Sequence, residues 1–186
     1  MKQSRNSIMR GMSGSLGEEL VFRQRAGKTV VSLPPVPRED NPTEDQLTIR
    51  SKFNEACRYA KTAIANPALK AEYKAKAELG TSAYNTAFAD FFRAPVILNV
   101  DTTNYSGVIG NTILIEATDD FKVQSVQVTI FTAAGNLLET GSASANPGSS
   151  DYWTYTITAS NPDGSGVVRV QVSDLPGNVT ARELSL

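Results

Sequence analysis

The sequence predicts an α+β protein: an N-terminal β-hairpin arm over residues 1–38, a short three-helix unit over 39–95 and an antiparallel β-sandwich over 96–186. Three observations predict it. Two short β-prone runs flank a Gly-containing tetrapeptide near the N-terminus. A stretch with apolar residues three and four apart follows, punctuated by Pro67, Gly80 and Pro95. From Val96 onward the apolar period switches to two, with turn signals between the runs.

The hairpin comes first. Residues 1–19 are polar, carry Gly11, Gly14 and Gly17, and read as a flexible lead-in. Leu20 to Gln24 and Thr29 to Leu33 then flank Arg25-Ala26-Gly27-Lys28, the pattern of two strands and a tight connection. Pro34, Pro35 and Pro37 end the second strand in an extended exit. A lone two-stranded hairpin is marginal in water, so it requires a surface to lie on.

The helices are marked by their caps. Thr43 with Gln46 forms a capping box, and Glu44 and Asp45 sit at the positive end of the helix dipole. Phe53, Cys57, Ala60 and Ile64, joined by Leu47 and Ala56, make an apolar stripe that reads as core, with Cys57 an inert member of it. Asn66-Pro67 ends this helix and caps the next. Leu69, Tyr73, Lys76 and Ala77 share one face of the second helix, Lys70, Lys74 and Lys76 supply its wet side, and Gly80 is the expected stop. A third helix from about Thr81 carries Tyr84, Phe88, Phe91 and Phe92 and stops before Pro95.

Seven strands follow: Val96–Val100, Thr112–Ala117, Val123–Phe131, Leu137–Glu139, Tyr152–Ile157, Val167–Val172 and Val179–Leu184. Their connections carry Ser106-Gly107, Gly110-Asn111, Gly135-Asn136, Pro147-Gly148, Pro162-Asp163-Gly164 and Pro176-Gly177-Asn178. Alternating strands at this spacing indicate a sandwich, with Trp153 as core or strand-end packing. The runs Gly110 to Asp120, Val123 to Val128 and Val172 to Thr180 contain an Ala-x-Asp after the second strand and an Asp-x-x-Gly-Asn at the last hairpin. In these, residues 96–186 resemble the bacterial immunoglobulin-like and fibronectin-type modules of surface and phage structural proteins. The resemblance implies an immunoglobulin-like sandwich and no particular ligand. Residues 11–60 are more loosely similar to an uncharacterised bacterial domain family. It has a Gly-rich start, an Arg-x-Gly-Lys hairpin tip and a Gln-x-x-x-Arg-x-x-Phe helix, here Gln46, Arg50 and Phe53. It implies no activity.

Composition removes whole classes of chemistry. Histidine is absent, and with it the commonest general base and metal ligand. Cys57 is the only cysteine, so neither an intramolecular disulfide nor a thiolate zinc site can form. The Ser149-Ser150 stretch has no lysine near it in sequence to activate a nucleophile. Ala26-Gly27-Lys28-Thr29 fails the phosphate-loop spacing, because Phe22 stands where a glycine is needed. No catalytic residue, cofactor or metal ligand is assigned. Asp119, Asp120, Asp174 and Asn178 are the one group that could gather oxygens for calcium, and the reading adopted is that they serve turns.

Charge is distributed unevenly. Residues 1–38 carry seven Lys/Arg against two Glu, a net +5. Residues 39–95 balance with eight of each sign, and residues 96–186 carry three basic and nine acidic residues, a net −6. The pattern suits a basic arm for an acidic partner or head-to-tail association of copies, and favours assembly over nucleic-acid binding because Glu18 and Glu19 interrupt the basic run. Residues 1–10 contain no apolar run of a signal peptide, and no stretch reaches the roughly 20 apolar residues of a membrane span. The expectation is a chain made in the cytoplasm without a leader, with no membrane insertion.

These readings converge on a non-enzymatic assembly subunit, of a phage virion (decoration, fibre or tail accessory protein) or a related appendage. The partners would be other copies or other particle subunits. The expected interface is Leu20, Val21, Phe22, Arg23, Arg25, Lys28, Val30 and Val31. The alternative is a carbohydrate or cell-surface adhesion module with a surface glycan as partner. An enzyme accessory domain is a third class that no residue pattern favours.

Overall fold

The computed structural model describes residues 9, 11–36 and 40–186, and the chain divides into two compact units, residues 1–49 and 50–186. The expectations attached to residues 1–8, Arg10 and Pro37–Glu39, among them the charges of Lys2, Arg5, Arg10 and Arg38, lie outside the described residues.

In the first unit the expected hairpin is a three-stranded antiparallel sheet of β1 (Gly14–Leu16), β2 (Leu20–Arg25) and β3 (Lys28–Ser32), in that order. Two details differ from expectation. Part of the lead-in is strand: Gly14, Ser15 and Leu16 pair with Phe22, Val21 and Leu20. The β2–β3 connection is two residues rather than four, because Arg25 and Lys28 already pair. Ala26 and Gly27 take φ values of 47° and 74°, both in the left-handed region, as a primed two-residue turn requires. Glycine meets that demand without strain. Alanine does not.

Helix α1 (Glu44–Ala65) begins on its capping box: Gln46 N donates to Thr43 Oγ1 at 3.4 Å and Thr43 N donates to Gln46 Oε1 at 3.2 Å. Helix α2 (Pro67–Lys76) is capped by Asn66, whose Oδ1 accepts from Ala68 N and Leu69 N, and α3 (Ala83–Asp90) by Ser82, whose Oγ accepts from Asn85 N. Helix α2 ends at Lys76, four residues before the expected stop at Gly80. The buried face of α1 is made of alanines, Ala56, Ala60 and Ala63, whereas Phe53 and Leu47 are half exposed. Small residues win the core side because they let helix backbones approach; Ala83 and Ala87 of α3 do the same. Phe53 packs edge-on against Phe88 instead, with ring centroids 5.0 Å apart.

The sandwich has two four-stranded sheets. One runs β4-β5-β9-β8 and the other β11-β10-β6-β7. They are built from β4 (Val96–Asp101), β5 (Thr112–Thr118), β6 (Val123–Thr132), β7 (Leu137–Ser142), β8 (Ser144–Ala145), β9 (Tyr152–Thr156), β10 (Gly166–Asp174) and β11 (Val179–Ser185). Taken in chain order as A, B, C, C′, D, E, F and G, these are the ABED and GFCC′ sheets of an immunoglobulin-like fold. The seven expected strands are present, and β8 is an eighth. Alternation sets the core: Ile113, Ile115 and Ala117 of β5, Val126, Val128 and Ile130 of β6, and Val168, Val170 and Val172 of β10 are buried. Gly141 of β7 leaves room for Tyr155, since a Cβ there would lie 2.9 Å from its ring. On β7, Glu139 turns inward, and its Oε2 accepts from Thr158 N, Thr158 Oγ1 and Ala159 N.

Ala26 supplies a test of the N-terminal sheet. Ala26→Gly is expected to stabilise it by about 0.5–1 kcal/mol by relieving the left-handed alanine, and Ala26→Val to destabilise it by more than that. Amide exchange of β2 and β3 measures both effects, and equal protection in all three proteins would contradict the turn assignment.

Candidate functional site

Two regions concentrate the residues singled out by sequence: the N-terminal sheet and one pole of the sandwich.

In the sheet, Leu20, Val21, Phe22, Arg23 and Arg25 belong to β2, and Lys28, Val30 and Val31 to β3. Strand β2 is central, so its backbone edges are taken by β1 and β3. Of this group Phe22 is buried, Leu20 and Val21 are half-buried, and Arg23, Arg25, Lys28, Val30 and Val31 are exposed. Val30 and Val31 are 45% and 38% exposed, and Leu16, Leu33 and Val36 are more open still. Phe22 is the one buried side chain of the three strands. Gln24 Nε2 donates to Thr29 Oγ1 at 2.8 Å and to Met12 O at 2.7 Å, fixing the turn end of the sheet.

At the pole, the turn after β5 and the turn after β10 meet the helices. Phe121 and Leu175 complete an apolar cluster with Ala60, Ala63, Tyr73, Ala83 and Ala87. Tyr73 is fully buried, stacks on Phe121 with centroids 3.8 Å apart, and donates its hydroxyl to Asp90 Oδ2 at 2.7 Å; its oxygen also lies 2.7 Å from the Tyr59 hydroxyl. Asp90 is 2% exposed, and its Oδ1 has no hydrogen-bond partner. Burial pushes its carboxyl up to about 6, helped by the charges of Asp119, Asp174 and Asp120, while the Tyr73 hydroxyl opposes the shift. Burial, then the hydrogen bond to Asp90, raises Tyr73 well above the ordinary phenol range, so it remains a donor.

The four residues considered for calcium have defined roles here. Asp119 Oδ2 accepts from Phe121 N and Lys122 N at 3.2 and 2.8 Å and shapes the turn. Asp120 pairs with Arg93 at 2.5 Å. Asp174 Oδ1 accepts from Gly177 N and Asn178 N at 2.8 and 2.6 Å, and its Oδ2 takes Asn178 Nδ2 at 2.7 Å. Asn178 Nδ2 is also 3.2 Å from Phe91 O and from Arg93 O, tying the last hairpin to the end of α3. Among the described residues, no three acidic or cysteine side chains are grouped to hold a metal ion. Sequence reasoning missed Asp90. Its partner Tyr73 is 17 residues away, and a single aspartate before two phenylalanines gives no sign of burial.

Beside this pole is a cleft of about 810 Å³ between α2 and the sandwich, lined by Lys76, Phe121, Lys122, Gln124, Asp151 and Trp153 among others. Trp153 packs on the sandwich core, and its Nε1 is buried without a partner. No helix of the structure is long and apolar enough to cross a membrane.

No family model matches the chain, and no curated protein matches it. Among solved structures it is similar to CopC from Methylosinus trichosporium OB3b, with a TM-score of 0.38 and 15% identity over 49% of this chain and 89% of that one. It is also similar to titin M4 in its trigonal form, with a TM-score of 0.33 and 18% identity over 50% of this chain and 93% of that one.

Asp90 makes the pole pH-dependent in a stated direction. Its pKa rises on folding from 3.8 to about 6, so the native state holds the proton more tightly than the unfolded chain. Its ionisation therefore opposes stability fully above about pH 6, by roughly 3 kcal/mol, and not at all below about pH 4. Asp90→Asn is expected to flatten the stability profile between these limits and to raise stability at pH 8 by about 1–2 kcal/mol. Urea unfolding across the pH series measures this; an unchanged slope in the variant would remove Asp90 as the titrating group.

Proposed function

We propose that the protein is a non-enzymatic assembly subunit that joins copies of itself, or other subunits of one particle, through its N-terminal sheet. A phage virion, in a decoration, fibre or tail accessory role, or a related appendage is the setting that fits this reading. The observation that carries it is the first unit. It is three short strands with one buried side chain, exposed Leu16, Val30, Val31, Leu33 and Val36, and, among the described residues, no further strand on the outer edges of β1 and β3. Three short strands with one buried side chain bury too little apolar surface to persist unaided. Strand addition to an exposed edge uses such an element, with backbone hydrogen bonds for affinity and side chains for specificity. The +5 of residues 1–38 and the −6 of residues 96–186 favour contact between copies. Such a contact joins two different surfaces, and closes into a ring or extends into a filament according to its rotation.

The carbohydrate-binding alternative draws on the cleft at Trp153, whose mixed polar and aromatic lining suits a neutral sugar. Because Trp153 is the only tryptophan, its fluorescence reports on that cleft alone.

Removal of residues 1–38 is expected to leave residues 50–186 folded and to abolish self-association, and added salt is expected to weaken association of the full chain. Sedimentation of both proteins at low and high salt reads this. A full chain that remains monomeric at high concentration and low salt would overturn self-assembly, and saturable quenching of Trp153 by oligosaccharide in that monomer would favour the alternative.

A further inference from the structure

The assembly reading leaves open which surface receives the arm, and the four edge strands of the sandwich differ in what they offer. Strand β8 is two residues long. Strand β4 is interrupted by a bulge at Leu98; the carbonyl of Pro95 just before it accepts from Thr180 Oγ1 at 2.5 Å, and its own carbonyl at Leu98 accepts from Arg182 Nη1 at 3.3 Å. Those bonds run from β11 and close that side of the sandwich. Strand β7 remains, six residues long at the far edge of its sheet.

The hydrogen-bond phase of β7 follows from its pairing. Ala143 N donates to Val126 O at 2.8 Å, and the register places Gly141 opposite Val128 and Glu139 opposite Ile130. Bonded and non-bonded pairs alternate in an antiparallel ladder, so Ala143, Gly141 and Glu139 bond to β6. Thr140 and Ser142 turn their N–H and C=O groups outward. The hydroxyls of Thr129 and Thr140, 3.0 Å apart, mark the close side-chain approach of a non-bonded pair.

The phase of β3 is fixed in the same way. A two-residue turn makes Arg25 and Lys28 a bonded pair, so Val30 bonds to Arg23 and Ser32 to Val21. Thr29 and Val31 therefore present their backbone groups to the side of β3 on which no strand of the described residues pairs. Both free edges repeat every second residue, and both are flanked by exposed side chains.

We propose that β3 of one copy adds antiparallel to β7 of a second copy, with Val31 opposite Thr140 and Thr29 opposite Ser142. This rests on the assembly reading and names its receiving surface. The register forms four backbone hydrogen bonds and sets Ser32 beside Glu139 and Val30 beside Gly141. Glu139 is 8% exposed, and its Oε1 is buried without a partner. The Ser32 hydroxyl supplies the donor that oxygen lacks. Val30 covers the gap above Gly141, where Tyr155 comes close to the backbone. The β7 bulge between Glu139 and Leu137 ends the ladder, which limits the contact to these four positions.

Cross-linking between distinct molecules tests the register. In a Cys57→Ala background, Val31→Cys protein is mixed with Thr140→Cys protein and oxidised, with Val31→Cys plus Glu183→Cys as the control pair on β11. More than half of the mixed sample is expected to cross-link at 31–140, and little of the control. Separately, Thr140→Pro removes an outward N–H from an edge strand, where proline is tolerated. It is expected to leave the melting transition in place and weaken self-association at least tenfold. Failure to cross-link at 31–140 above the control, while loss of residues 1–38 still abolishes association, would overturn the β7 edge and leave the arm reading standing. A full chain that never associates would overturn both. If Thr140→Pro fails to fold, the cross-link alone decides.

Discussion

The buried hydroxyl of Tyr73 is the contact on which the second unit depends. Beyond it, helix α2 is held by the partly buried Leu69 and the Glu72–Lys122 ion pair, while Lys70, Lys74 and Lys76 make its other side. One hydroxyl reaches the side chain of α1 at Tyr59 and that of α3 at Asp90, while the ring lies flat on Phe121 from the sandwich. An aromatic ring with a polar end suits this position, because stacking fills the apolar gap and the hydroxyl satisfies an otherwise costly carboxylate. Replacing Tyr73 by phenylalanine would keep the stack and strand Asp90, so the cost falls on the polar half of the contact.

The same pole explains why the last hairpin has its Asp-x-x-Gly-Asn sequence. Asp174 gathers two turn N–H groups, and Asn178 reaches across to the carbonyls that end α3. Those carbonyls have no partner further along their helix and require donors from elsewhere. The asparagine amide therefore acts as a C-terminal cap supplied by a different element. Burial raises the Asp174 pKa against the pull of those three hydrogen bonds, and the Asp119 charge adds to the rise. Asp90, raised first by its burial, is raised further by the Asp119 and Asp174 charges, so the carboxylates of the pole disfavour one another's ionisation.

Much of this fold was legible from local rules. The Thr43–Gln46 box, the Asn66-Pro67 start and the Gly-containing turns act over three or four residues, and the elements appear in the order they set, with α2 ending before Gly80 and the β2–β3 turn tighter by two residues. The errors lie where a short range does not decide. Gly14-Ser15-Leu16 has no β-branched residue and becomes a strand only because β2 is there to pair with it. Ser144-Ala145 is too short to alternate. The stripe through Phe53 has helical spacing, but spacing does not say whether alanines or aromatics take the close-packed side. Asp90 was invisible for the same reason: its burial depends on Tyr59, Tyr73 and the turn at Asp119, which sequence separates and folding brings together.

The two units also differ in how their polar groups are satisfied, and that difference bears on function more than the fold class does. In the sandwich, the inward carboxylates of Glu139 and Asp174 each take three donors, and the β4–β11 side is closed by side-chain bonds to backbone oxygens. In the N-terminal sheet, no strand of the described residues pairs with the outer edge of β3, its valines are exposed, and one side chain of the three strands is buried. An element built for its own stability would not spend a β-rich segment on so small a core, nor place alanine at a left-handed turn position where glycine costs less. These features are what the proposed assembly role asks of such a segment: contacts left for another molecule to complete. On the proposed assembly reading, the edge of β3, the exposed valines and the basic Arg23, Arg25 and Lys28 would supply backbone, apolar and electrostatic terms together, so loss of any one would weaken association without unfolding the second unit.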